Sequence, residues 1–209
     1  MDFFYNILVT GCSSGLGKAL FNEVHSHDHL RAFAHHRSMT ADPFALYGDV
    51  NDSNFPDKLD EFIRTRQIEC FINNAGVYEG NVLETNLLSQ VKMLQVVYDY
   101  FAEQKKGRII NINSLAGINP TAGESLYCAS KFGLKGFSKS LQLEAIGSGV
   151  EITDVYLGGV QTRMTEGRDN YDSLMKADDV ARQIIDLVNT KSYYVNELIL
   201  RKRNESSSS

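Results

Sequence analysis

Cysteine, positive charge and long apolar runs are all scarce in this 209-residue chain. The three cysteines, Cys12, Cys70 and Cys128, are odd in number and lack metal-ligand spacing. They exclude a disulfide-built scaffold, and with no leader-like segment at the N-terminus they place the expected compartment in a reducing cytoplasm. Lys and Arg total 21 against 26 Asp and Glu, a net charge of -5. That balance argues against nucleic acid or an anionic membrane as a partner. No apolar run approaches the length of a transmembrane helix. What remains is ordinary for a globular domain: 43% hydrophobic and 22% charged residues. The length suits one domain with a substantial core, read here as residues 1–203, followed by a disordered Ser-rich tail at 204–209.

Short β-rich runs alternate with helical periodicity from end to end. Tyr5 to Thr10, Arg31 to Ala34, Ala45 to Tyr47, Glu69 to Asn73, Arg108 to Asn113, Glu151 to Tyr156 and Val195 to Leu200 read as seven strands. Helices are expected over Lys18 to Val24, around Phe55 to Ile63, from Leu87 to Phe101, from Ser125 to Ala145 and from Asp178 to Val188. Such alternation implies an α/β fold, a Rossmann-like doubly wound parallel sheet of about seven strands covered by helices on both faces. Ligands are then expected beyond the carboxyl ends of the strands.

Two motifs sit where that expectation wants them. The first strand ends in Thr10-Gly11-Cys12-Ser13-Ser14-Gly15-Leu16-Gly17. Glycines there permit a tight turn and close approach of a phosphate, and the next helix aims its free N–H groups at it. Further on, Tyr127-Cys128-Ala129-Ser130-Lys131 puts a phenol and an ammonium one helical turn apart on one face. A cation about 4 Å away contributes up to about 4 kcal/mol to a phenolate, enough to draw a tyrosine from about 10 toward about 7. Without Ser114 upstream the pair would read as a solvated helix contact, and a glycine turn without a ligand is the disfavoured alternative at the end of a first strand.

The glycine spacing resembles that of the short-chain dehydrogenase/reductase family, and the resemblance runs along nearly the whole chain. Asn73-Asn74-Ala75-Gly76 matches the family's segment at the end of the fourth strand, and Asp49-Val50 its adenine-contacting pair. Ser114 lies 13 residues before Tyr127, at the family's serine spacing, and Asn86 matches the fourth member of its catalytic set. Gly158-Gly159-Val160-Gln161-Thr162 resembles the segment that approaches the nicotinamide. The resemblance implies Tyr127 as acid or base and Ser114 as a donor to the substrate oxygen. It also implies Lys131 as tuner of Tyr127 and holder of the ribose, and Asn86 as positioner of a relay water. Coenzyme contacts would come from Gly11, Ser13, Ser14, Gly15, Leu16, Gly17, Asp49, Val50, Asn74, Ala75, Gly76, Gly158, Val160 and Thr162, besides Tyr127 and Lys131. Ser114 as a plain strand cap and Asn86 as a plain helix N-cap stand as alternatives.

The second strand leads into Ala34-His35-His36-Arg37-Ser38, with no carboxylate before Asp42. An acid there would repel a 2′-phosphate, whereas Arg37 can grip one, so NADP(H) is preferred and NAD(H) stays possible. His25, His27 and His29 read as a solvated turn, and no metal is expected. Three departures bear on substrate. The stretch between Gly76 and Asn86 is short, Leu157 stands where the family has proline, and the segment after Thr162 is short and carries Arg163, Met164, Glu166 and Arg168. These favour a small or polar carbonyl or alcohol, anionic compounds among them. Competing classes are a sugar-nucleotide epimerase or dehydratase, disfavoured by length, and a non-catalytic dinucleotide regulator, disfavoured by the intact Ser114, Tyr127 and Lys131. The resemblance also implies a homodimer or homotetramer packed through the two long helices.

Overall fold

The computed structural model describes residues 5–38, 42–190 and 192–203; the 204–209 tail lies outside them. Strand β1 (Tyr5–Val9) alternates its side chains, sending Ile7 and Val9 to one face and Leu8 to the other. Every later strand is read against it. Helix α1 (Gly15–His25) leads to β2 (Leu30–His36) and β3 (Leu46–Tyr47). Helix α2 (Phe55–Thr65) opens with a proline in its first turn and buries Phe55, Leu59 and Ile63 as one stripe. Then come β4 (Cys70–Asn73), α3 (Ser89–Gln104), β5 (Gly107–Ser114), α4 (Ser125–Glu144), β6 (Val150–Leu157), β7 (Val160–Gln161), β8 (Met175–Lys176), α5 (Ala177–Asn189) and β9 (Glu197–Leu200).

Seven strands form one sheet in the order β3-β2-β1-β4-β5-β6-β9, and every pairing is parallel. Helices α1 and α5 cover one face, where Leu20, Val24, Ile184 and Ile185 pack on Ile7, Ile72 and Ile110. Helices α2, α3 and α4 cover the other, with Phe55, Phe101 and Leu134 against Leu8, Phe71 and Ile109. This is the doubly wound arrangement expected. The order reverses between β1 and β4, so the crevice for a ligand opens at the carboxyl ends of those two strands.

Some boundaries differ from expectation. Strand β2 continues through His35 and His36, because Cys12 N–H donates to the His35 carbonyl (3.1 Å) and Gly48 N–H to that of His36 (3.2 Å). Strand β9 starts at Glu197; Val195 and Asn196 are instead held by the Thr153 hydroxyl (2.7 Å) and the Asp154 N–H (3.0 Å). The long third helix is preceded by a π-helical turn, Glu84–Leu88. The two-residue ladder of β7 with β8 was not anticipated.

A buried polar row ties the middle strands to α4. The Asn73 amide donates to Asn111 (3.3 Å), whose own amide donates to the Ser138 hydroxyl (2.8 Å), and Ser138 donates to Asp154 (2.6 Å). Burial pushes the Asp154 carboxyl up to about 6, against the pull of these donors. The row fixes where α4 lies on β4, β5 and β6, and therefore where Tyr127 and Lys131 stand.

Candidate active site

At the end of β1 the chain must turn within a few residues. Gly11 and Gly15 take positive φ angles of 74° and 56°, which side chains rarely allow. A Cβ on Gly17 would collide with the Gly11 carbonyl and the Asn74 amide. Ser14, at the N-cap of α1, makes no capping bond, so the first-turn N–H groups keep their donors for an outside acceptor. Ser13 and Ser14 are exposed beside them. A diphosphate fits this donor set.

Neighbouring segments brace the turn. The Thr10 hydroxyl accepts from the N–H groups of Asn74 (2.8 Å) and Ala75 (2.9 Å), and the Asn74 amide donates to the Thr10 carbonyl (2.8 Å). Asn74 and Ala75 thus lock the ends of β1 and β4 together. Gln90, from α3, donates to the Ala75 carbonyl (2.8 Å). Thr162 caps a short turn, Arg163–Thr165, in a reciprocal capping box with Thr165 and lies against Gly15. Val160 is buried below it, and Gly158 donates its N–H to Leu200 (2.9 Å).

The ribose end gathers different chemistry. Asp49 accepts from Asn51 N–H (3.0 Å), while Val50 is buried among Phe55 and Leu59. His36 meets the Ser13 hydroxyl at 3.2 Å and stacks on Tyr47. Arg37 is exposed just beyond β2. His35 turns the other way and is buried. Its Nδ1 accepts from Gly11 N–H (3.3 Å), so its Nε2 carries the proton donated to the Gly48 carbonyl (3.0 Å). Burial holds its pKa below the usual value, keeping it neutral in this strut.

Beyond β5 and on α4, the other motif assembles. Ser114 ends β5, and its hydroxyl accepts from Ala116 N–H (3.1 Å) while facing the Tyr127 phenol. The Lys131 ammonium stands 5.8 Å from the Tyr127 ring centroid. Lys131 is 8% exposed, has no ion pair among the described residues, and burial brings it down to about 8. One expectation is corrected here. Burial raises the Tyr127 pKa; the opposing influences are hydrogen bonding to Ser114 and the charge of Arg168, and Lys131 is not among them. The ammonium lies over the ring rather than at the phenolic oxygen, and Tyr127 is held as a protonated acid.

Asn86 also differs from its expected place. It sits inside the π turn, 1% exposed, and its amide is committed to Val77: Oδ1 accepts from the N–H (2.8 Å) and Nδ2 donates to the carbonyl (2.6 Å). This clamp shapes the short segment after Gly76. Its product is Tyr78, whose ring centroid lies 5.2 Å from that of Tyr127 and whose hydroxyl donates to Glu124 (2.7 Å). Arg168 stacks over Tyr78 at 5.5 Å. Sequence reading missed His35, Gln90, Tyr78 and Glu124. Only His35 carried a signal, as a polar residue ending an apolar strand. The three histidines at the end of α1 take separate partners: the Phe21 carbonyl, Glu23 and Asn189.

Fold and site together define a dinucleotide-binding α/β domain with a serine, a tyrosine and a lysine gathered at its carboxyl edge. The family model for short chain dehydrogenases matches residues 5–172. The 3-oxoacyl-(acyl-carrier-protein) reductase FabG of Haemophilus influenzae is 31% identical over 182 residues, covering 76% of this chain and 75% of that protein. An NADP-dependent 3-hydroxy acid dehydrogenase of Schizosaccharomyces pombe is 30% identical over 203 residues, covering 83% and 78%. Among solved structures, the closed form of a serine dehydrogenase complexed with NADP+ superposes with a TM-score of 0.84 at 22% identity, covering 98% of this chain and 97% of that one. The chain belongs to the short-chain dehydrogenase/reductase family and is an oxidoreductase acting on CH–OH or carbonyl groups. No helix among the described residues is long and apolar enough to cross a membrane.

Proposed function

We propose that the protein reduces a small polar carbonyl, or oxidises the corresponding alcohol, with NADP(H). The observation that carries the reading is the meeting of Ser114, Tyr127 and Lys131 at the sheet edge where the glycine turn opens α1. When bound, the nicotinamide supplies or accepts the hydride. Ser114 donates a hydrogen bond to the substrate oxygen and fixes its position. Tyr127, kept protonated by burial, delivers its proton to the alkoxide that hydride addition creates, and takes it back in oxidation. Lys131, whose ammonium lies over the Tyr127 ring, would hold the ribose hydroxyls of the bound coenzyme. The first-turn N–H groups of α1 hold the diphosphate.

The coenzyme preference rests on His36 at the end of β2 and Arg37 just beyond it, with no acid there to repel a 2′-phosphate. The NADP-dependent relative and the NADP+ complex agree with it. Exposed Phe132 and Leu143 on α4 favour self-association into a dimer or tetramer. The test is NADPH oxidation over a panel of small polar carbonyls, with wild type and Tyr127→Phe. The variant is expected to lose about 100-fold or more in kcat while binding NADPH normally. A Tyr127→Phe variant as active as wild type overturns the assignment, and tighter binding of NADH than NADPH overturns the coenzyme preference.

A further inference from the structure

We propose that Arg168 recognises a substrate carboxylate, making the substrate class a small hydroxy acid and its oxo acid; this rests on the oxidoreductase reading above. Three observations converge. First, Arg168 is placed by contact with the site: its guanidinium lies over the Tyr78 ring at 5.5 Å, and that ring lies 5.2 Å from the Tyr127 ring. Its charge reaches the Tyr127 hydroxyl, where it favours the phenolate. An anion held by Arg168 therefore lies on the same side of the site as Tyr78 and Tyr127.

Second, its donors are free. Arg168 forms no salt bridge among the described residues, and its guanidinium lies over the Tyr78 ring. Glu124, just before α4, already accepts the Tyr78 hydroxyl and so fixes the ring on which the guanidinium rests. A guanidinium resting on an aromatic ring keeps N–H donors that can pair bidentately with a carboxylate. One guanidinium opposite one carboxylate matches a monoanion better than a doubly charged phosphate.

Third, the loop carrying Arg168 is built. Arg168 N–H donates to Thr165 (3.2 Å), and Tyr171 N–H donates to Arg168 (3.0 Å). The Gln161 amide donates to the Tyr171 carbonyl (3.1 Å), and the β7–β8 ladder closes the loop's base. In a chain of net charge -5, a cation beside Tyr78 also draws anions toward the site.

Lactate and 3-hydroxybutyrate, each with its methyl ester, are oxidised with NADP+ by wild type, Arg168→Gln and Arg168→Lys. Wild type is expected to prefer at least one acid to its ester. Arg168→Gln should lose about tenfold or more in kcat/KM on that acid, chiefly through KM, and several-fold less on the ester, where only its charge effect on Tyr127 is removed. Arg168→Lys should fall between, and all three should bind NADPH alike. Equal losses on acid and ester, no loss on either, a wild-type preference for esters, or no turnover of any of the four overturns the proposal. Turnover of uncharged carbonyls alone overturns it while leaving the oxidoreductase reading intact. That reading falls separately, on an active Tyr127→Phe.

Discussion

Lys131 is an ammonium group placed where water scarcely reaches it. Burial alone brings it from 10.5 to about 8. The sign of the consequence follows from proton counting. Between about pH 8 and about pH 10.5 the folded chain binds fewer protons than the unfolded one, so stability rises with pH across that window. Below about pH 8 the buried ammonium costs about 3 kcal/mol. Lys131→Met should therefore stabilise the coenzyme-free protein near neutral pH by up to that amount while abolishing turnover. Its advantage should shrink as pH rises from about 8 toward 10.5. Thermal unfolding of both proteins across this range checks it; a variant less stable than wild type near neutral pH contradicts it. A buried lysine that costs stability and serves the proposed chemistry would be an exchange of stability for activity.

At the scale of elements, the π turn and the short strand-to-helix segment before it act as one unit. Asn86 spends both ends of its amide on Val77, and Val77 precedes the tyrosine that rests on Tyr127. Asn86→Ala leaves the partly buried Val77 N–H and carbonyl without their partner, and should cost about 1–2 kcal/mol in urea unfolding together with a lower kcat. A residue that only positioned a relay water would lower kcat and leave unfolding unchanged, so the paired measurements separate the two roles. The same elements mark where sequence reading stops. Strands such as Cys70–Asn73 and stripes such as Phe55, Leu59 and Ile63 are local patterns, and they were readable because each residue's neighbours in sequence are its neighbours on one face. The β7–β8 ladder, two residues on each side, is too short to carry a period. His35 looked like part of a coenzyme selector, yet its ring faces Gly11 and Gly48, a choice made by tertiary contacts. The stack of Arg168 on Tyr78 joins distant segments and leaves no mark in either.

For the whole molecule, topology does the gathering. Because strand order reverses between β1 and β4, the glycine turn, the Asn74–Ala75 brace, Ser114 and the start of α4 all reach one edge of the sheet. That arrangement follows from alternation and handed crossovers, which is why both motifs could be placed before their contacts were known. It also decides which surface remains. Helix α4 turns Ser130, Lys131, Leu134 and Ser138 inward, and its outer side keeps Phe132 40% and Leu143 72% exposed. These two lie about three turns apart on nearly the same line of the helix. Leu126, at 60%, and Leu88, at 49%, extend the apolar surface toward the start of α3. A stable partner would cover about 800 Å² on each copy, and a second copy of the same face meets that need with isologous contacts. Wild type is accordingly expected to sediment as a dimer or larger. Phe132→Glu combined with Leu143→Glu should shift it to monomer, because like charges would face each other across the two-fold axis. Circular dichroism should be unchanged, since both side chains already face solvent in the single chain. A wild-type monomer at micromolar concentration, or a double variant that still associates, would place the contact on another face or remove it.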